Sequence, residues 1–436
     1  MGNKLRSLFR RWKAVYILSA TIMLILGCAR PTETDALIED LLSDDQAVRE
    51  RATSSLTQMG KPGIDALLAA LSNTETRNAA HKTLLIIGQP AVAPLIDHLK
   101  NSSDAAICAS ILKEIGAEAI PALIEALSDP SVRGQAGAVL AEIGETAIPQ
   151  LINAMANPTI QGMAIGTIVR IGKPATPALV DALRVPALRI SATTALAQLG
   201  PQAVEALSVA LDDDNIRVRR ESAMLLSRIP ESSALLALIT ALGSNIENTR
   251  ELAIETLAGI HTRSTPELIK ISADRIVGSA ASETLLRIGS DAVPYLLNAL
   301  KTDNPVLRER VVIILGAIKD RKSVPYLIKT LTDTHASVRL ASAKALAEIG
   351  DHRAIEPLVV ALRNRSAPGE AARALAKFGN ATVPPLAQAL QDDRPDARAA
   401  AAQALGLIGS NDAVPALINA THDNESEVRL AAVKAL

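Results

Sequence analysis

Metal chemistry asks for His, Cys, Asp or Glu at helix spacings that bring several donors onto one face. The six histidines (His81, His98, His261, His335, His352 and His422) stand singly, none followed by Glu and none four residues from another His or Cys. No metal is expected. The cysteines are Cys28 and Cys108, and Cys108 lies in the apolar stretch 105–116, where a small buried hydrophobe is the natural reading rather than a nucleophile. No G-x-S-x-G elbow, phosphate-binding loop or dinucleotide fingerprint occurs in the context it needs. Neither catalytic residues nor a cofactor is therefore expected.

Arginine is the most conspicuous polar feature. It recurs at Arg49, Arg77, Arg133, Arg189, Arg219, Arg250, Arg308, Arg339, Arg398 and Arg429, several of these separated by 28 residues or twice that. Stacked structural units would place such residues in a column. Asp45, Asp129, Asp214, Asp303, Asp333 and Asp423 stand close enough to make it an Asp–Arg ladder between repeats; an anion-binding stripe is the alternative. Ala105 and Gln161 interrupt it. Tyr295 and Tyr326 occupy matching places in Val293-Pro294-Tyr295 and Val324-Pro325-Tyr326. They are candidate contacts for a protein partner, with groove or core packing as the alternative.

The elements that position these residues must be helical. Apolar residues make up 48% of the 436 and aromatics 1%, so the core is Leu, Ile, Val and Ala, without strand-like alternation. A chain of this length exceeds one ordinary core and must be multidomain or repetitive. Its net charge is −1, and removing residues 1–28, with five basic groups and no acid, leaves 40 basic against 46 acidic. A mildly acidic surface without aromatic platforms argues against nucleic acid.

Residues 1–13 are basic, and the 13 that follow, Ala14–Leu26, carry no charge. A basic segment, a short apolar run and small residues at its exit describe a secretory signal peptide, whereas about 20 Å of helix is too short to span a membrane. The exit, Ile25-Leu26-Gly27-Cys28, resembles the lipobox of bacterial lipoproteins. That resemblance implies cleavage between Gly27 and Cys28, acylation of Cys28, an exported envelope protein and, from Ala29, the outer membrane where there is one. Several acyl chains on one residue anchor durably where one does not. Competing readings are an uncleaved anchor or a chance cysteine. Met1-Gly2 lacks the Ser or Thr that myristoylation wants at Arg6, and Arg10-Arg11 fits an ordinary basic segment as well as a twin-arginine signal. Residues 28–35 are then the lipidated cysteine and tether.

Glycine sets the register beyond this point. Gly60, Gly88, Gly116, Gly144, Gly172 and Gly200, each after an apolar residue, are spaced by 28; Gly289, Gly350, Gly379 and Gly409 continue at about 30 or twice that, with Ile229-Pro230 and Ile318-Lys319 as degenerate copies. Within residues 117–144, Ile120, Leu123, Ile124 and Leu127 form one helical stripe and Val132, Ala136, Val139, Leu140 and Ile143 a second. Pro121 falls in a first turn, Ser131 reads as the cap of the second helix, and Gly144 terminates it. One such hairpin buries too little apolar area to offset its ordering entropy, so neighbours must stack. The pattern, clearest in Val293–Leu300 with Val306–Leu315 and in Val324–Leu331 with Val338–Gly350, resembles the short HEAT-like repeats of the phycobilin-lyase family.

The resemblance implies an all-α fold, a right-handed α-solenoid of about fourteen hairpins. Residues 36–229 are the regular 28-residue units and 290–436 units of about 30. Residues 230–289 are irregular, with Gly243-Ser244 and His261-Thr262-Arg263 as turn candidates, and form either a kink or uninterrupted stacking. Repeated His-Glu pairs bind iron in the related HEAT-like deoxyhypusine hydroxylases; none occurs here, so that activity is not expected. The expected function is a non-catalytic, membrane-anchored scaffold whose second helices line the concave, partner-binding face. Two alternatives stand beside it: a lyase-like or chromophore-attachment role, which the export signal opposes, and a self-assembling envelope protein joined through the uncapped edge at 430–436.

Overall fold

A computed structural model describes residues 33–100, 103–363 and 368–436. These residues are all-α, with no strand among them, and form a solenoid of fourteen helical hairpins. No helix among them is long and apolar enough to cross a membrane. The expected signal peptide, Gly27 and Cys28 lie outside the described residues. The chain divides into two compact units, one ending at Ala203 and the other beginning at Val204.

In the first unit, first helices such as Ile120–Ala126, Ile148–Ala154 and Thr176–Ala182 pack side by side in one layer, and second helices such as Arg133–Ile143, Gln161–Ile171 and Arg189–Leu199 form another. Leu67, Leu95, Leu123, Leu151 and Leu179, 28 residues apart, are fully buried along the first layer. Leu84, Leu112, Leu140, Ile168 and Leu196 do the same along the second. The 28-residue period thus aligns one large aliphatic per helix on a shared seam. Truncating any of them to Ala leaves a cavity costing about 2–5 kcal/mol. The first helix is Glu33–Asp40, so the last three residues of the expected tether are helical. Acidic Glu33 and Asp35 in that first turn suit the positive end of the helix.

The same two layers recur in the second unit, and the longer period is explained by two local changes. In the 28-residue units the second helix begins at the arginine position and runs 11 residues, as in Arg133–Ile143. In the longer units it begins three residues earlier: Pro305–Ile318, Ala336–Ile349 and Pro395–Ile408 each have 14 residues. Asn304 caps the first of these, its side chain accepting the amides of Val306 and Leu307. The junctions differ too. Gly144 ends its helix at φ 77°, ψ −133° and leads directly into the next unit. In contrast, Lys319 and Gly350 are left-handed at φ 60°, ψ 26° and φ 68°, ψ 25°, each followed by an aspartate that caps the next short helix through its side chain. A left-handed site admits a lysine at some strain, and this accounts for the degenerate Ile318-Lys319 junction.

Two local expectations are corrected. Ser131 does not cap the second helix; Asp129 accepts its amide at 2.9 Å and its hydroxyl at 2.7 Å in an Asx-type turn, and the helix starts at Arg133 behind Val132. Likewise His261-Thr262-Arg263 is not a turn but the opening of the helix His261–Ile271. The chain turns at Ile260, and Arg263 ties that opening to the carbonyls of Ser227 and Ile229 at 3.0 and 2.8 Å. Gly243 and Ser244 do form the turn between Ser232–Ala241 and Glu247–Gly259.

Candidate functional site

The arginine column is a set of turn clamps. For nine of its ten members, all but Arg133, the backbone carbonyl six positions earlier, just past the end of the first helix, accepts from the guanidinium. Arg49, Arg77, Arg189, Arg219, Arg250, Arg308, Arg398 and Arg429 all donate to that carbonyl at 2.7–3.2 Å, and Arg339 donates to Asp333 in the same way. Gln161, which interrupts the column in sequence, reproduces the bond with Met155 at 3.2 Å and adds Ser191 of the next hairpin at 2.8 Å. Carbonyls left over at the end of each short first helix are satisfied this way.

Direct Asp–Arg pairs between repeats include those of Arg308 and Arg398. Arg308 grips Asp333 with Nε and Nη2 at 2.8 and 2.9 Å, and Arg398 grips Asp423 at 2.7 and 2.8 Å. Both pairs are nearly buried, with side chains 10–14% exposed. Burial works against ionisation of Asp333, but the hydrogen bonds from Arg308 and from the His335 amide outweigh it and hold the carboxyl below its ordinary range. For Asp423 the Arg398 hydrogen bond is the leading cause of the same lowering. Where the next turn carries Asn157 instead of aspartate, Arg133 stays exposed. Elsewhere the turn row uses Lys100 with Asp129 at 3.2 Å and Ser72 with Asp104 at 2.6 Å. Asp129 is pulled to about 2, chiefly by the Ser131 hydroxyl and amide and then by Lys100.

No group of three or more His, Cys, Asp or Glu among the described residues is placed to hold a metal. Cys108 is fully buried, and desolvation pushes its thiol up to about 11. The stacking does leave open grooves, and in the second unit they lie on both layers. Between the second helices Pro305–Ile318 and Ala336–Ile349 is a groove of about 650 Å3, floored by Ile313, Gly316, Ala317, Leu340, Ala341 and Ala345 and edged by Glu309, Lys319, Lys344 and Glu348. Its depth follows from the close approach at Gly316, where a Cβ would lie 2.7 Å from the Ala345 Cβ. Ile313 is 45% exposed there.

Tyr295 and Tyr326 sit on the other layer, on the first helices Val293–Ala299 and Val324–Thr330, 37% and 45% exposed. They therefore do not share a surface with the second-helix groove. Tyr326 borders a second groove of about 350 Å3 that also involves Ser290, Val293, Pro294, Leu297, Asn298, Lys301 and Lys322. Sequence reading singled out the tyrosines; it missed Lys301 and took Lys322, in the run Lys319, Arg321 and Lys322, for part of a solvated face. Their signal was available only by overlaying units, since each lysine alone looks like a solvated surface charge.

A model of the PBS lyase HEAT-like repeat matches residues 105–129. No curated protein sequence matches the chain. Among solved structures, importin beta is 16% identical over 93% of this chain and 66% of its own length, with a TM-score of 0.33. Yeast importin-beta (Kap95p) is 14% identical over 90% of this chain and 63% of its own, with a TM-score of 0.31. Human deoxyhypusine hydroxylase is 25% identical over 62% of this chain and 97% of its own, with a TM-score of 0.24. The chain thus spans less than two thirds of the yeast importin-beta and 66% of the other. With every TM-score below 0.5, these likenesses say nothing of what this chain binds. The HEAT-repeat model matches residues 34–116, 120–197, 184–258, 293–369 and 361–436, most of the chain, and the protein belongs to the HEAT-repeat family.

Proposed function

We propose that this protein is a non-catalytic scaffold, tethered to the bacterial envelope by lipid on Cys28, that binds a protein partner on its second-helix face. The observation that carries the binding role is the apolar groove between Pro305–Ile318 and Ala336–Ile349, which leaves Ile313 exposed beside small residues on a rigid pair of helices. Exposed aliphatics in a groove rimmed by charges are what a protein partner's side chains need, and stacking of the hairpins does not require them. The tether rests on the lipobox resemblance at Ile25-Leu26-Gly27-Cys28.

Affinity capture of the intact protein with crosslinking and mass spectrometry identifies the partner. Ile313→Glu should then reduce capture while leaving thermal unfolding unchanged; undiminished capture would reject the groove. Metabolic labelling with palmitate should mark the parent and not Cys28→Ser.

A further inference from the structure

The first-helix face contains a cationic groove that lacks its own anions, and comparison between units of the same chain reveals it. Lys100 closes its first helix and is satisfied twice, by Asp97 at 3.1 Å and by Asp129 of the next hairpin at 3.2 Å. Lys301 occupies the corresponding place after Leu300. The counterpart of Asp97 there is the neutral Asn298, and the counterpart of Asp129 is Asp333, which Arg308 already holds through two hydrogen bonds. Both carboxylates of the earlier arrangement are thus lost to Lys301, one by replacement and one by engagement. Lys322 lies across the groove, at the place where other units carry Glu118, Asp291 or Asp412. Asp320 uses its side chain to cap the Lys322 amide rather than to meet its ammonium. Neither lysine has an ion-pair partner among the described residues, whereas Lys113, Lys270 and Lys377 each pair with a glutamate.

Between the two lysines the groove is apolar and shaped. Val293, Pro294 and Leu297 form its floor, Ser290 and Asn298 provide neutral hydrogen-bonding groups, and the exposed ring of Tyr326 forms a wall. We infer that this groove docks an extended acidic segment of a protein partner, with carboxylates meeting Lys301 and Lys322 and an apolar side chain seated on Pro294 and Leu297 against Tyr326. Two cations flanking an apolar floor match acidic and apolar side chains two residues apart in an extended chain, which point to the same face and enter the groove together. A phosphodiester polymer would instead meet an apolar floor it cannot use. The inference rests on the reading of the solenoid as a protein-binding scaffold but concerns the opposite layer. Failure of Ile313→Glu to affect capture therefore leaves it standing, and its own failure leaves the second-helix groove standing.

The test is selection from a displayed random octapeptide library on the immobilised full-length protein, with Lys301→Gln/Lys322→Gln as the comparison. The double variant alters two exposed side chains, and its circular dichroism should match the parent. The parent should enrich peptides carrying Asp or Glu two residues from an aliphatic residue, and the variant should lose that enrichment. A selected peptide should bind the variant about tenfold more weakly, the scale expected for two exposed ion pairs, and this difference should shrink at high salt. It should also protect Lys301 and Lys322 from acetylation. Selection without acidic residues, or equal binding to parent and variant, would overturn the proposal. So would protection of the two lysines by glycerol phosphate but not by selected peptides, which would assign the groove to a lipid headgroup.

Discussion

Replacing Gly144 and Gly350 separately by Ala isolates the backbone term that distinguishes the two kinds of junction. At both positions a Cβ would have no heavy atom within 4 Å, so packing contributes nothing to the difference. Gly144 lies at φ 77°, ψ −133°, a region essentially closed to residues with a Cβ, where strain is about 3 kcal/mol. Gly350 lies at φ 68°, ψ 25°, inside the left-handed well, where the penalty is about 1 kcal/mol. Both substitutions also stiffen the unfolded chain, which returns a few tenths of a kcal/mol equally in the two cases. Gly144→Ala should therefore destabilise by about 2 kcal/mol more than Gly350→Ala. A repeat array need not unfold in one step, so the appropriate assay is native-state hydrogen exchange read at amides of the neighbouring helices. Gly144 donates its amide to Leu140 and Gly350 to Leu346, which gives each junction a local reporter. Equal losses at the two sites would refute the account of why one set of units needs glycine and the other tolerates Lys319.

Other perturbations address the polar row and the core. Arg398→Ala removes a nearly buried double hydrogen bond to Asp423 together with the turn clamp, and should cost about 2–3 kcal/mol in a urea titration; Arg133→Ala should leave the midpoint unchanged. Asp333 and Asp423 both have carboxyl pKa values below the ordinary range in the folded chain. The stability they confer is present above about pH 4, the unfolded value, and is lost as pH falls through the lower folded value. Between about pH 4 and pH 2 the parent should lose more stability than Asp423→Asn; parallel curves would contradict this. Cys108, fully buried with its pKa pushed up to about 11, should resist iodoacetamide at pH 8 until urea unfolds the chain. Rapid modification of the native protein would show that this helix is not packed as described.

The hairpins were legible because their punctuation is chemical. Glycine at 28-residue intervals marks helix ends that only glycine can form, and leucine at the same interval marks the buried seam. The arginine column was visible too, but the partners of its side chains were not. Most of those partners are backbone carbonyls, which have no letter in a sequence, and so aspartates near in sequence drew the attention instead. Gln161 illustrates the point: it breaks the pattern by residue type yet makes the same bond to Met155. His261-Thr262-Arg263 misled for a related reason. The change of direction at Ile260 uses neither glycine nor proline, and Arg263 secures it through main-chain acceptors. Of the candidate surfaces, the tyrosines were found by their rarity. The groove beside them was not, because the charge on Lys301 becomes informative only when Asn298 is compared with Asp97.

The claim most in need of a direct test is that the second-helix face meets a protein. A photoreactive amino acid at Ile313 or Leu340, in the living cell, would crosslink whatever occupies the groove. Both positions should give a discrete protein adduct, absent when the same residue replaces the exposed Gln135 of the other unit. Irradiation that yields no protein adduct at either groove position, or the same adducts from all three, would contradict it.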